Sequence, residues 1–570
     1  MAGPPKLKHW LNWRDVSGKP STIEDFRSLI CSYPRTSLLV ACSELSVKLN
    51  FGPEGETSAS KELTEQWIPY LFQPAIASRV KVAFDNDRVI FFQAQLRFIA
   101  AEVTRLTPAP PETLPPIENK DLGELLLRAA ELLVFVHPKP ADRWDALANM
   151  AVQFVPVYEI DSPSDPFTQM MRMYIMLMVN IPRLAAKAPL KFDVAAEFEK
   201  ASGFSLQLFT DFMFAILMHA TIQRDSLHTK NEAINPLGPI WMKTTTVPAQ
   251  TIHQVLSTMS FTLTSMKPAK KPHGYADFTF LRDTPYFCTQ DNYYCLDYEF
   301  GLGKLESGVI WRVRDNLEEK RREPYLSFWG PVFEDYIAWL FETYASKKDN
   351  AYHPSPKYAD GKSEICDSIV ICGNTAVLIE AKVATCDIET KYSGDYTRMR
   401  TYMEKKLIGT PTNRKGVTQL LKAIENVTSL PKESLPPYLA KVNKIIPLIV
   451  TKDEIGSGWV INKYVSERFE EQIQRKDYKS HTITPLVTMS AGTVERAMRP
   501  LAKMPLSKIL EDRITANRDL GQPFEAASKY VHRGTARNMP EHMVLMKKGI
   551  NDMIKDFGIM EEDGSHGVVV

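Results

Sequence analysis

A Gly373-Asn374 pair set between two apolar runs, Ile369-Val-Ile-Cys372 before it and Thr375-Ala-Val-Leu-Ile379 after it, constrains this chain more than any other feature. β-Branched runs joined by such a pair form a hairpin, and a two-residue loop sets the register of the strands. With Cys372 opposite Thr375, Asp367 falls directly across from Glu380. Lys382 follows on the same face, because strand side chains alternate with period two. Like charges opposed on adjacent strands repel. Two carboxylates and a lysine in an otherwise apolar hairpin therefore point to a cation site.

The chain has 570 residues, which predicts two to four domains. Hydrophobic residues at 44% and charged residues at 24% are those of a soluble globular protein, not of a disordered chain. A formal net charge of +1 does not mark the whole chain as a nucleic-acid binder, so any such surface has to be a local basic patch. The seven cysteines are odd in number and scattered, with no Cys-x-x-Cys, which predicts reduced thiols in a cytoplasmic protein. Cys288 and Cys295 lack a partnering His cluster and do not make a zinc site. The most apolar run, Met170 to Ile181, is interrupted by Arg172 and Asn180 and stopped by Pro182. It falls short of the ~20 apolar residues that span a bilayer. Met1-Ala2-Gly3-Pro4-Pro5 opens no secretory signal, so neither a membrane nor export is expected.

Four regions are expected. Residues 1–106 read as mixed α/β, with short helices at Trp10–Trp13 and Ile23–Cys31 and strand-like alternation at Arg35–Leu49 and Arg88–Leu96. A proline-rich linker from Thr107 to Pro116 follows. Residues 117–320 read as mostly helical, from the stripes in Asp121–Val136, Pro163–Met178 and Phe204–His219. An aromatic hairpin at Tyr286–Phe300 leads into a helix near Val309–Leu317. Asp297 and Glu299 pair with no base or ligand and read as surface or structural acids, and the basic Met266–Gly274 segment as a solvated loop. This region is a candidate sensing or regulatory unit, through which a partner protein or a second copy would bind.

Residues 321–489 carry the hairpin. Gly330-Pro331 predicts a helix opening, with an apolar stripe at Phe333, Ile337, Leu340, Phe341 and Tyr344. Glu334 sits at its edge while Asp335 and Glu342 point away. Ser346–Lys362 reads as a loop, and Thr397–Leu407 and Gly416–Val427 as helices. Lys444–Thr451 reads as a buried strand with Pro447 at an edge or bulge, and Ile483–Met489 as a further strand. Residues 490–570 are expected to be a helical extension with a loose tail from Glu561.

Glu-x-Lys also occurs from Glu118, Glu318, Glu389 and Glu404, in polar or helical settings. Only Glu380-Ala381-Lys382 ends an apolar strand with an acid registered across it. Asp367 and Glu380-Ala381-Lys382, preceded by a helix bearing Glu334, resemble the PD-(D/E)xK nuclease superfamily over roughly residues 328–489. Cys366 stands where the family's leading proline would be. The resemblance implies an αββαβ restriction-endonuclease-like α/β core and hydrolysis of nucleic-acid phosphodiesters, with DNA ahead of RNA. Many members act in bacterial anti-phage defence. It implies a Mg²⁺ ion, replaceable by Mn²⁺, held by Asp367, Glu380, the Ala381 carbonyl and Glu334. Mg²⁺ is a hard ion that takes carboxylate, water and phosphate oxygens. Lys382 would orient the attacking water and stabilise charge on the phosphate. In the family the helix after these strands often supplies a glutamine or lysine, here Gln419. Arg398, Arg400, Lys405, Lys406, Arg414 and Lys415, interleaved with Tyr392, Tyr396 and Tyr402, form the candidate phosphate-tracking surface. Three other readings stand beside this one: an ordinary cross-strand ion pair on a wet sheet face, a binding or scaffolding protein with a non-catalytic nuclease fold, and an RNA-cleaving toxin.

Overall fold

The computed structural model describes residues 11–557 apart from 51–64, 86–87, 89, 107, 134–138, 162–165, 231–235, 267–276, 385, 454–457, 475–477, 479–480 and 521–539. The basic loop from residue 267 onward and the tail from Glu561 thus lie outside the described residues. Short helices occupy Trp13–Ser17 and Ile23–Ile30, capped by Asn12 and Thr22. Of the two segments whose alternation predicts strands, Arg35–Leu49 is instead helix α1 (Arg35–Asn50), and Arg88–Leu96 ends in helix α2 (Gln93–Arg105), with no strand among its described residues. The reason is burial. Every residue from Gln93 to Val103 is buried, and none from Arg35 to Leu49 is exposed. A helix with little or no wet face shows little 3.6-residue contrast, and chance alternation then dominates the pattern.

The other helices that bear on the site are α3 (Arg143–Asp161), α4 (Pro166–Ile175), α5 (Leu206–Lys230) and α6 (Lys304–Asn316). Between α5 and α6 lies a small sheet of β1 (Ser260–Phe261), β2 (Tyr286–Thr289) and β3 (Asn292–Cys295), in which β2 and β3 form the expected antiparallel hairpin. Asp297 and Glu299 are not surface acids. Both are buried, each with an oxygen 2.5 Å from the guanidinium of Arg97 on α2.

The large sheet follows α7 (Glu319–Tyr344) and consists of β4 (Ala351–Pro354), β5 (Ser368–Cys372), β6 (Thr375–Lys382), β7 (Lys444–Thr451), β8 (Thr482–Ile483) and β9 (Val487–Ser490). Its order is β4-β5-β6-β7-β8, with β9 also on β7. The pairs β4/β5 and β5/β6 are antiparallel, and β6/β7, β7/β8 and β7/β9 are parallel. The parallel connection from β6 to β7 runs through α8 (Ile388–Tyr392), α9 (Tyr396–Met403, extended by a π turn to Ile408) and α10 (Gly416–Ser429). After β7 come α11 (Trp459–Ile473), α12 (Ala491–Leu501), α13 (Leu506–Leu520) and α14 (Pro540–Phe557).

Three local expectations change. β4 lies inside the segment read as a loop; a four-residue, half-exposed edge strand buries too little to leave a hydrophobic signal. Helix α7 starts well before Gly330-Pro331 and carries Pro324 and Pro331 inside it. An interior proline costs ~3 kcal/mol, but Pro331 and Ser327, whose carbonyl loses its partner, are exposed to water, while Tyr325, Trp329, Val332 and Phe333 bury the opposite side. Finally, β7 is central, paired on both sides. The Ile445 carbonyl accepts from Thr484, so Pro447, two residues on, turns its missing N–H toward the same side. That position falls between β8, which pairs with Lys444 and Ile445, and β9, whose pairing with β7 begins at Leu448.

The sheet is covered on both faces. Val377, Ile379, Ala381, Ile446, Leu448 and Val450 pack in one core with α7 and α12, and that same core takes residues from α4, α5 and α6. Ala376, Leu378, Ile445 and Ile449 pack on the other side with α9, α10, α11 and the start of α3.

Helix α14 docks on α5, where Gly549 is pressed so close to the Phe214 ring that a Cβ would lie 2.6 Å from it. His542 anchors its first turn. The ring packs on Trp339 and Tyr344, with Nδ1 2.8 Å from the Tyr344 hydroxyl, and burial lowers its pKa from 6.5 to about 4. The neutral form is the one that fits. A depressed folded-state pKa means stability fully present above pH 6.5 and lost as pH falls toward 4. The expected loss over that window is about 3 kcal/mol at most, and a His542→Phe variant should flatten it, read as denaturation midpoint against pH.

Candidate functional site

The hairpin forms in the register set by its loop. Cys372 pairs with Thr375 and Ser368 with Ile379, so Asp367, one residue before β5, continues onto Glu380. Gly373 adopts φ +63°, the left-handed conformation that a tight turn of this kind demands. The Asp367 carboxylate accepts the Ala381 N–H at 2.8 Å and lies 3.2 Å from the Lys382 ammonium. Lys382 Nζ is also 2.6 Å from Glu380, which is only 2% exposed. Ala381 turns its methyl into the core on the opposite face. The three charged side chains thus converge at the C-terminal end of β6.

Burial, reinforced by the Asp367 charge and opposed by Lys382, pushes the Glu380 carboxyl well above the usual range. Burial would lower the Lys382 pKa, but Glu380 and Asp367 outweigh it, so the ammonium stays charged. Glu334 comes from α7, in the layer beneath the other sheet face, yet it is within the field of both Asp367 and Lys382. Burial first, then Asp367, raises its pKa to about 7. Glu364, not singled out from the sequence, shares this field: burial and Asp367 raise it while its Ser355 hydrogen bond and Lys382 lower it. Its only sequence signal is its place three residues before Asp367.

Asp335 does not point to solvent. It is buried against the Arg183 guanidinium at 2.9 Å and the Asn180 amide at 3.0 Å, because the helix Ile181–Ala185 and the π turn before it cover that side of α7. Glu342 is exposed and binds the same arginine.

Helix α10 begins over the site. A Cβ on Gly416 would lie 2.7 Å from Ile449 Cδ1 and 2.8 Å from the Leu407 carbonyl, and Ile449 is the β7 neighbour of Glu380. Only glycine allows the helix start to sit this low on the sheet. Gln419, one turn on, is half-buried, as are Lys415 and Tyr396. Lys405, Lys406 and Arg414 are exposed, and with Lys415 they form no ion pair among the described residues. Arg398 and Arg400 differ. Arg398 binds Glu389 and Asp395, and Arg400 lies 3.1 Å from Asp142 and 2.9 Å from Asp145 at the start of α3. Tyr392 and Tyr402 are buried rather than displayed.

Among the described residues, no group of three or more His, Cys, Asp or Glu side chains is gathered into a ready-made metal cage. Asp367 and Glu380 are an open, all-oxygen donor pair, with the Glu334 carboxyl within the field of Asp367, and Mg²⁺ commonly takes one or two carboxylates and completes its shell with water and substrate oxygens. The donor chemistry fits such an ion. No single helix among the described residues is long and apolar enough to cross a membrane. No protein-family model matches this chain, and neither a curated protein nor a solved structure matches it.

Proposed function

We propose that this chain is a metal-dependent nuclease that hydrolyses nucleic-acid phosphodiester bonds, with its centre at Asp367, Glu380 and Lys382 and with Glu334 contributing from α7. One observation carries the reading: a buried carboxylate, a second carboxylate across the hairpin and a lysine bonded to both meet at the end of a mostly apolar strand. A sheet with a helix before it, antiparallel strands first and a helical crossover into a parallel strand supports a restriction-endonuclease-like core.

Asp367 and Glu380 would hold Mg²⁺ or Mn²⁺, with the Ala381 carbonyl and Glu334 completing the protein's share. Bound there, the ion supplies Lewis-acid polarisation of the phosphate and a lowered pKa for a nearby water. The Lys382 ammonium, already fixed at the end of β6, is placed to hold the attacking water and to meet negative charge developing on phosphate oxygens. Lys405, Lys406, Arg414 and Lys415, with Gln419 nearer the site, would carry the strand past the centre, giving affinity that falls steeply with salt. DNA ahead of RNA, and a place in anti-phage defence, follow from the family resemblance alone.

The test is incubation of supercoiled plasmid and of structured RNA with the full chain in Mg²⁺, Mn²⁺ or EDTA. Nicking or linearisation that needs the metal is expected. Cleavage unaffected by EDTA, or no cleavage of either substrate, contradicts the proposal. The second reading, a non-catalytic binding protein, draws on the Lys382 ammonium standing within ion-pair distance of both acids, which balances much of their charge from within the chain. It predicts salt-sensitive binding with no cleavage.

A further inference from the structure

Lys452 is the first residue after β7, and all three of its polar groups are held. Its backbone N–H donates to the carbonyl of Lys382 at 3.0 Å. Its own carbonyl receives the Arg172 guanidinium at 3.5 Å, and Arg172 is locked to Glu495 at 2.6 Å. Its ammonium, on a side chain only 9% exposed, pairs with Glu306. Glu306 belongs to α6 and Arg172 to α4, both from the helical region that precedes the large sheet. Two elements from outside the sheet thus converge on one residue, and that residue is hydrogen-bonded to the backbone of Lys382.

We propose that Lys452, held by Glu306, is a positioning residue for the nuclease centre: it fixes the end of β6 and with it the placement of the Lys382 ammonium. The inference rests on the nuclease reading given above. The physical reason is local. Lys382 is the last residue of β6, and beyond it the ladder to β7 has one further bond, from Lys452 to the Lys382 carbonyl. If Lys452 is free to move, the Lys382 backbone loses its lateral restraint while Asp367 and Glu380, further inside the hairpin, keep theirs. A small misplacement of a group that acts only in the transition state lowers turnover more than binding. The arrangement also gives the helical region a direct mechanical connection to the catalytic strand.

The experiment is steady-state cleavage by the full-length protein and its Lys452→Met, Glu306→Gln, Lys452→Arg and Lys382→Ala variants, with melting curves for each. Lys452→Met and Glu306→Gln are expected to lower kcat about tenfold with KM unchanged, and Lys452→Arg, which keeps the charge, to recover most of it. Glu306 is partly exposed, so Glu306→Gln decides the matter if Lys452→Met does not fold. If wild type cleaves and Lys382→Ala does not, but Glu306→Gln keeps kcat within twofold, the positioning role is overturned and the nuclease reading stands. A kcat loss that appears equally in KM, or that Lys452→Arg does not relieve, also overturns it. If wild type fails to cleave, or Lys382→Ala cleaves as well as wild type, the nuclease reading falls and this inference with it.

Discussion

Lys382→Ala is expected to cleave at least about a thousandfold more slowly than wild type in Mg²⁺, with the fold retained. The ammonium lies between Glu380 at 2.6 Å and Asp367 at 3.2 Å, where no other cation of the chain contacts either acid among the described residues. Its removal leaves two carboxylates facing one another. The Glu380 carboxyl is already pushed above its ordinary range by burial, so a proton at neutral pH relieves most of that repulsion and the stability loss stays modest. Added Mg²⁺ should then raise the melting temperature of the variant more than that of wild type, since the ion replaces the lost positive charge. Single-turnover cleavage and melting curves with and without Mg²⁺ check both halves. A variant that cleaves within tenfold of wild type contradicts the role given to Lys382.

Arg97→Met should destabilise the protein by about 3–5 kcal/mol, the usual result of removing one partner from a buried ion pair. Asp297 is fully buried and Glu299 nearly so, and Arg97 lies 2.5 Å from both. Burial raises the Glu299 carboxyl, with the Asp297 charge adding to it, while Arg97 and Arg282 oppose the rise. Gln93 also donates to Asp297, at 2.8 Å, but it cannot neutralise a charge. The effect should spread, because Arg282 stacks on Phe300 and binds the Tyr392 hydroxyl of α8, the first helix after β6. Denaturant unfolding followed by Trp fluorescence measures it. A loss under about 1 kcal/mol would show that these acids take up protons instead of remaining charged.

The hairpin was legible in the sequence because its determinants are local: a glycine able to take positive φ, β-branched flanks and a two-residue loop that leaves one register. The same holds for β7, whose apolar run is longer than chance provides. Helices α1 and α2 were not legible. Helix α2 is buried on nearly every side, and a helix with no solvent face carries no amphipathic period to read. Helix α1 keeps a half-exposed stripe, but Val40 and Ala41 lie in it while Ser43, Ser46 and Lys48 are buried, so polarity does not follow burial. Asp335 shows the same limit on a smaller scale: helical geometry places it opposite the Phe333–Ile337 stripe, but only the tertiary fold reveals that another helix covers that side with Arg183. Asp297 and Glu299 looked unpaired because their partner, Arg97, stands about 200 positions away in the chain. At the site, Asp367, Glu380 and Lys382 could be brought together from spacing alone. Glu364 could not, since its approach depends on the turn around Ser355, at φ +42°. Nor could the ion pairs that occupy Arg398 and Arg400, whose acidic partners come from three separate segments.

The central claim is that the buried carboxylate on β6 is used for metal-dependent phosphodiester hydrolysis. Its most direct test compares wild type with Glu380→Ala on one plasmid substrate at saturating Mg²⁺, with the folded state of both verified by circular dichroism. Cleavage by wild type that is abolished in Glu380→Ala, with substrate binding retained, is the predicted result. Equal metal-dependent cleavage by the two proteins would contradict it.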